Sequence, residues 1–146
     1  MPLTGTYPRT LDEKGRLALP KQLRDDLTGD DQIVYVTPEP EGVVGIYSET
    51  EFRAKAARLS ETSADPVDTR RFMRVYYSHA ERVTPDAQGR IRIPDRLAER
   101  AGLTGEVVVL GVGDHAEVWD ASAWTKTLDG LQGQFDVLAD RTAART

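Results

Sequence analysis

The chain has 146 residues, of which 39% are hydrophobic and 29% charged. This composition is typical of one globular domain, or of two small halves sharing a core, and excludes collagen-like, low-complexity and largely disordered chains. There is no cysteine, which excludes disulfides, thiolate metal sites and cysteine nucleophiles. The net charge is −5, yet residues 1–24 carry +3 and residues 70–100 carry +4. The basic segments form one positive face if the fold brings them together; otherwise their arginines lie on solvated helix faces.

Hydropathy gives no sign of a membrane protein. No apolar run approaches the roughly 18 residues needed to cross a bilayer. The first seven residues lack the basic segment and apolar stretch of a signal peptide. We therefore expect a cytoplasmic protein.

The sequence repeats itself at an offset of 74 residues. Residues 10–23 match residues 84–97, with six identities in fourteen positions, and residues 33–36 match 107–110 at the same offset. Residues 46–52 match 118–124 at an offset of 72, so one connection is two residues shorter in the second copy. We interpret this pattern as a duplicated unit of about 50 residues.

Each unit predicts the same succession of elements. The alternating pairs Leu17/Leu19 and Ile91/Ile93 indicate half-buried strands. A proline follows each strand and is expected at the first position of a short helix, which ends near a glycine. The residues concerned are Pro20 with Leu23, Leu27 and Gly29, and Pro94 with Leu97, Ala101 and Gly102. Two further strands and a second helix complete the unit.

Capping residues predict where the longer helices begin. Ser48 and Glu51 form a capping box before a helix over residues 52–59, and Asp120 is expected to cap the matching helix around Trp124. Asp65 and Pro66 start a further helix that ends near His79. Its apolar side holds Met73, Tyr76 and Tyr77.

These elements divide the chain into four parts. Residues 1–59 form the first repeat, and residues 60–80 form a linker, best placed at 60–64, with a connecting helix. Residues 81–131 form the second repeat. Residues 132–146 are expected to be a helix end and a flexible tail, frayed from Asp140 onward.

The motif Asp-x-x-Gly-Arg occurs in both units. Gly15 and Gly89 indicate a turn with positive φ, and Asp12 and Asp86 can accept nearby amide donors. The arginine that follows each glycine either pairs with the aspartate and merely stabilises the turn, or projects a planar fork of donors toward phosphate or guanine. The two interpretations are compatible, because an arginine paired with an aspartate is already oriented.

These paired motifs, Asp12 to Arg16 and Asp86 to Arg90, resemble those of MraZ proteins. The resemblance extends from about Gly5 to Trp124; Met1 to Thr4 departs from the family's usual Met-Phe start. It implies an α+β, β-rich fold of internally duplicated, AbrB-like swapped-hairpin β-barrel units with short flanking helices. It also implies a homo-oligomeric ring that binds repeated promoter sites in double-stranded DNA. Such proteins typically repress their own division and cell wall gene cluster, which implies a cytoplasmic, nucleoid-associated protein.

The resemblance carries the DNA-binding role to particular residues. Lys14, Arg16 and Arg90 are expected to make most of the contacts to base edges or phosphates, and Gln88 replaces the lysine in the second copy. Expected phosphate contacts are Arg9, Lys21, Arg82 and Arg92. Because Arg92 alternates with two isoleucines, its side chain should face solvent.

Other function classes have weaker support. Residues 111–116 match G-x-G-x-x-A, but the following residues indicate a strand, so a glycine-rich hairpin is favoured over a dinucleotide site. His79 and His115 have no metal-ligand spacing and are expected on the surface or in loops. Tyr76, Tyr77 and Phe72 suit a core or subunit interface better than base stacking. We expect no catalysis, cofactor, metal or small-molecule substrate. The alternative function is a protein-interaction or antitoxin-like module of the same superfamily.

Overall fold

The chain folds into six helices and eight strands, described by a computed structural model over residues 2–62 and 65–143. The strands are β1 (Thr6–Thr10), β2 (Arg16–Ala18), β3 (Val34–Pro38), β4 (Val44–Tyr47), β5 (Glu81–Val83), β6 (Arg90–Arg92), β7 (Glu106–Gly111) and β8 (Ala116–Asp120). The helices are α1 (Lys21–Thr28), α2 (Glu49–Thr62), α3 (Pro66–His79), α4 (Asp95–Arg100), α5 (Ala121–Gln132) and α6 (Phe135–Ala143). The order strand, strand, helix, strand, strand, helix, helix therefore occurs twice.

The two repeats share their sheets. Six strands form one antiparallel sheet in the order β1-β7-β8-β4-β3-β5, and β2 pairs with β6 in a second, two-stranded sheet. The first strand of each repeat thus pairs with the third strand of the other, β1 with β7 and β5 with β3. The central pairs, Leu17 with Ile91 and Gly45 with Glu117, join equivalent strands and mark a pseudo-two-fold axis.

The predicted α+β class is confirmed, and the strands of the two repeats are exchanged as a swapped arrangement requires. Closed barrels are not formed in the described part of the chain, because the edge strands β1 and β5 do not pair with each other. Helices hold more residues than strands, so the expected β-rich character applies to the buried core rather than to the whole chain.

One apolar core lies between the repeats. Leu17 and Ile91 face it from the two-stranded sheet and are at most 1% exposed, as the alternation predicted. Leu23 and Leu27 of α1 and Leu97 of α4 cover it, which confirms the two short amphipathic helices. Both repeats therefore need each other to bury their apolar faces.

The helix starts follow the capping signals closely. Asp65 accepts from the amides of Val67 and Asp68, and Asp120 accepts from the amide of Ala123. Pro20 and Pro94 are caps one residue before α1 and α4, not first helical residues, with φ of −57° and −55°. These angles match the φ that the proline ring imposes, and the proline carbonyls accept the first helical hydrogen bonds.

Two boundary predictions are corrected. Residues 60–62, expected in the linker, are the end of α2, because no glycine or proline stops the helix before Pro66. Ser63 and Ala64 lie outside the described residues. In the expected tail, Asp140 to Ala143 belong to α6. This helix follows α5 as α3 follows α2, and residues 144–146 lie outside the described part of the chain.

Candidate nucleic-acid interface

The first Asp-x-x-Gly-Arg loop is a tight turn closed by its own aspartate. Asp12 Oδ1 accepts from the amides of Lys14 and Arg16 at 2.9 and 2.8 Å, and Asp12 Oδ2 accepts from Arg16 Nε at 2.7 Å. The Arg16 amide above all, and then its side chain and the Lys14 amide, hold the pKa of the Asp12 carboxyl below its ordinary value. Gly15 has φ of +76°, as predicted. The aspartate is therefore ionised and orients the arginine.

The second loop reproduces this geometry. Asp86 Oδ1 accepts from the amides of Gln88 and Arg90, each at 2.9 Å, and Asp86 Oδ2 accepts from Arg90 Nε at 2.9 Å. The Arg90 amide is the largest cause that lowers the pKa of the Asp86 carboxyl. Gly89 again has φ of +76°. Both aspartates thus have the structural role that the turn chemistry predicted.

The two loops are locked together across the pseudo-two-fold axis. Gly15 O accepts from Ile93 N at 2.8 Å, and Gly89 O accepts from Leu19 N at 3.1 Å. In the two-stranded sheet, Arg16 lies opposite Arg92. The basic segments of the two repeats are therefore neighbours in space, as the positive-face interpretation requires.

An open groove of about 460 Å³ runs over this junction. Its lining combines four cations with one carboxylate: Lys14, Arg16, Arg90 and Arg92, with Asp86, Val83 and Thr84. Arg16 and Arg90 use only Nε on their aspartates. Within residues 2–62 and 65–143, their two terminal nitrogens have no hydrogen-bond partner. Each guanidinium can therefore still offer two parallel donors to a phosphate or to a guanine edge.

Of the other predicted contacts, Arg92 lines the groove, whereas Gln88, Lys21, Arg82 and Arg9 do not. Gln88 is exposed within the second turn, and Lys21 is exposed at the start of α1. Arg82 is exposed on β5, beside the groove residue Val83. Arg9 is half-buried on β1, and its Nη1 donates to Pro8 O at 2.7 Å. Arg92 is exposed, which confirms its predicted orientation, and its Nε donates to Lys14 O at 3.2 Å.

Arg24 of α1 is a cation of this face that motif comparison did not single out. A methyl group on Gly89 would overlap Arg24 Nη1, and Arg24 Cζ and Cδ would lie 3.1 and 3.3 Å from it. Arg24 therefore covers the second loop although it belongs to the first repeat. The +3 charge of residues 1–24, which includes Arg24, indicated a basic segment. No motif indicated that Arg24 would lie against Gly89, which is 65 positions further along the chain.

A buried polar cluster lies on another face, around Glu39. Its carboxylate is paired with Lys55 Nζ at 3.0 Å and accepts from the hydroxyls of Thr37, Tyr47 and Tyr76. Burial chiefly, and Glu39 as a nearby charge, raise the pKa of the Tyr76 hydroxyl. All these donors point at one carboxylate, so the cluster anchors α3 and α2 to the sheet. Tyr76 is accordingly buried, whereas Phe72 is 39% exposed.

The other sequence candidates have structural roles. Residues 111–116 form the hairpin between β7 and β8, closed by Val112 N donating to His115 O at 3.0 Å, which confirms the hairpin interpretation. His115 is half-buried and stacks on Tyr47 with ring centroids 4.5 Å apart. His79 is half-buried at the end of α3, 2.8 Å from Val75 O. The described residues contain no group of three potential metal ligands, and none of their helices is long and apolar enough to span a membrane.

Known proteins share this sequence over nearly its whole length. A family model described as "MraZ protein, putative antitoxin-like" matches residues 3–75 and again residues 76–146. A protein named transcriptional regulator MraZ from Corynebacterium efficiens is 38% identical over 93% of each chain. Proteins with the same name from Arthrobacter sp. and Mycobacterium sp. (strain KMS) are 37% and 36% identical, over 93% and 94% of this chain and 94% of each relative.

Proposed function

Because this chain belongs to the MraZ family, we propose that it is a transcriptional regulator that binds specific sequences in double-stranded DNA through its two Asp-x-x-Gly-Arg loops. One observation carries the proposal. The loops of the two repeats meet at the pseudo-two-fold axis and place Lys14, Arg16, Arg90 and Arg92 around one groove. A pair of loops with oriented guanidinium groups suits DNA, because arginine can donate to guanine O6 and N7 at the edge of a base pair.

The residues divide into three roles under this proposal. Arg16 and Arg90 read base edges, and Lys14 and Gln88 support them from the same turns. Arg9, Lys21, Arg82 and Arg92 hold the phosphates on either side, which fixes the register without reading sequence. Asp12, Gly15, Asp86 and Gly89 shape the loops and do not contact DNA.

The regulatory setting is also a proposal. The protein represses the division and cell wall gene cluster that begins with its own gene, by binding repeated sites upstream of it. It acts in the cytoplasm, associated with the nucleoid, and performs no catalysis. Regulators that bind repeated sites gain affinity when several copies are tethered, because later binding events are then intramolecular.

We propose that copies of the chain supply this tethering by assembling into a ring. Apolar side chains support assembly: Phe135 of α6 is 74% exposed, and Val75 of α3 is 61% exposed. Sedimentation equilibrium should give one closed oligomer whose mass does not change over a wide concentration range. A monomer, or open-ended growth with concentration, would contradict the ring.

The same exposed residues also suit a second candidate function, that of a protein-interaction or antitoxin-like module. That role requires a partner of different sequence on α6, in place of another copy of this chain. Copurification from the native cell, followed by mass spectrometry and reconstitution with the purified partner, distinguishes the two. A stoichiometric foreign partner that displaces other copies would favour the second candidate.

The decisive experiment is a fluorescence anisotropy titration with the full chain. A duplex from upstream of the gene is compared with a scrambled duplex of equal length across a salt series. We expect preference for the native duplex and an affinity that falls steeply with salt. Arg16→Ala and Arg90→Ala should each weaken specific binding by about 1–3 kcal/mol, the value of a bidentate base contact.

Arg53→Ala is the matched control, because Arg53 is an exposed arginine of α2 that pairs with Glu49 at 2.9 Å. It should leave the affinity unchanged. Equal, weak binding of both duplexes by the wild-type chain would refute the proposed function. Undiminished binding by a folded Arg16→Ala/Arg90→Ala double variant would refute the assignment of the loops.

A further inference from the structure

The two loops carry different cations, although their backbones match. At the offset of 74 residues, Lys14 of the first loop corresponds to Gln88 of the second, so the second loop has one cation fewer. Its net charge is the same, because Glu13 corresponds to Ala87. Two further positions differ in a related way. Arg92 corresponds to Ala18, and Arg24 corresponds to Ala98. Each repeat therefore has an arginine at a position where the other repeat has alanine.

These two arginines lie over opposite loops. A methyl group on Gly15 would lie 3.9 Å from Arg92 Cγ, and Arg92 Nε donates to Lys14 O. The equivalent site over the second loop would be occupied by Ala18, which is too short to cover it. Arg24 reaches that loop instead, from α1, and packs its guanidinium against Gly89. Each loop is thus covered by one arginine that comes from the other repeat.

Among the described residues, Arg24 has no ion pair that would explain this position. Within residues 2–62 and 65–143, no carboxylate lies within 4 Å of its guanidinium, and its nitrogens make no hydrogen bond. In contrast, Arg92 Nε donates to Lys14 O, and Arg92 Nη2 lies 3.4 Å from Asp95 Oδ1. A half-buried arginine held beside a backbone turn with all five donors available is suited to an anionic ligand outside the chain.

We propose that Arg24 is a phosphate-contacting residue of the second loop and supplies the positive charge that Gln88 does not. This inference rests on the proposed DNA-binding function. The contact is to the phosphate backbone rather than to a base, because Arg24 does not line the groove that holds Arg90. The second loop therefore recognises DNA with residues of both repeats.

The experiment measures how the affinity of the full chain for its upstream duplex depends on salt. Arg24→Gln keeps a side chain over Gly89 and removes the charge, whereas Arg24→Lys keeps the charge. Each neutralised phosphate contributes about 0.9 to the slope of log affinity against log salt concentration. We therefore expect Arg24→Gln to reduce the magnitude of the slope by about 0.9 for each copy of the chain engaged on the duplex. For one engaged copy, a fourfold rise in salt then weakens the variant about 3.5-fold less than the wild type.

Controls separate contact from folding. Arg53→Gln removes the same charge from α2 and should keep the wild-type slope, and Arg24→Lys should keep it as well. Thermal unfolding of Arg24→Gln shows whether the fold survives. If that variant does not fold, Arg24→Met takes its place, because it also removes the charge. The slope of log affinity against log salt concentration is then compared between Arg24→Met and Arg24→Lys.

The outcomes distinguish this inference from the function on which it rests. If the wild-type chain does not prefer its upstream duplex, the proposed function fails. If wild-type binding is specific and Arg90→Ala weakens it, but the uncharged Arg24 variant keeps the wild-type slope, only the role of Arg24 is overturned. A reduced slope that lysine restores, with equal weakening on native and scrambled duplexes, is the result expected of a phosphate contact.

Discussion

Two adjacent tyrosines of α3 should respond oppositely to the same substitution. The hydroxyl of Tyr76 donates to Glu39 Oε2 at 2.9 Å, in a site where Tyr76 is 1% and Glu39 is 5% exposed. The hydroxyl of Tyr77 is also buried, but it has no hydrogen-bond partner among the described residues. Replacement by phenylalanine keeps both rings, so the substitution tests the hydroxyl alone.

The magnitudes follow from these contacts. A hydrogen bond to a charged group contributes about 1.5–3 kcal/mol, and Tyr76→Phe leaves a buried carboxylate with one donor fewer, so we expect a loss of that size. Tyr77→Phe removes a buried, unpaired hydroxyl and should raise the free energy of unfolding by about 1 kcal/mol. The two variants should therefore differ by about 3 kcal/mol, or about 6–12 °C in Tm for a chain of this size.

Urea unfolding followed by tryptophan fluorescence measures this difference, at one fixed protein concentration because association changes apparent stability. The midpoints should move in opposite directions with the m value unchanged. Equal midpoints for the two variants would refute the argument that Glu39 anchors α3. So would a Tyr77→Phe variant less stable than Tyr76→Phe. DNA affinity should stay unchanged in both variants, because neither tyrosine lines the groove.

Three further perturbations test other parts of the structure. Gly15→Ala should lower the free energy of unfolding by about 1–2 kcal/mol because of the positive φ, and further because the new Cβ would lie 3.2 Å from Ile93 O. The control is Gly102→Ala, at φ of +64° with nothing within 4 Å of the new Cβ, which should show the cost of the positive φ alone. Equal urea midpoints for the two variants would contradict the close approach to Ile93. Leu17→Ala should lower the free energy of unfolding by about 2–5 kcal/mol, because this side chain is fully buried; a loss below 1 kcal/mol in urea unfolding would contradict its place in the core. His115→Gln should destabilise the chain more at pH 5.5 than at pH 8.5. Burial lowers the pKa of His115, but Glu117 and Asp114 outweigh this effect and raise the pKa above its ordinary value. The resulting stabilisation is complete below pH 6.5 and is lost as the pH rises through the folded-state pKa. A pH-independent difference would contradict that pairing.

Local structure followed from the sequence because its causes are local. The aspartate and glycine of each loop determine the turn through contacts within five residues, and these contacts are present in both copies. The same holds for Asp65 and Asp120, whose carboxylates cap the helices that follow them. The alternation at Leu17 and Ile91 correctly predicted the buried face of each short strand, since the period of a strand is visible in the sequence.

Long-range relations could not be read in the same way. Periodicity tells which face of a strand is buried but not which strand it pairs with, so the continuous six-stranded sheet was not foreseen. No sequence pattern singled out Glu39. Its burial depends on donors from Thr37, Lys55 and Tyr76, on three different elements. Arg24 was missed for the same reason, because only the tertiary structure places it over Gly89.

The exchange of strands also decides when, during its own synthesis, the chain acquires a usable loop pair. A nascent chain that has reached β5 already contains Asp12 and Arg16, but β6 and β7, the partners of β2 and β1, do not yet exist. Translation at about 5–20 residues per second adds residues 81–111 in about 2–6 s, and in that time the first repeat has exposed apolar strands and no complete binding surface. A message truncated before β7 therefore produces no weakened regulator that could compete for promoter sites. It produces an unpaired, aggregation-prone fragment, which the proteases of the cell can remove.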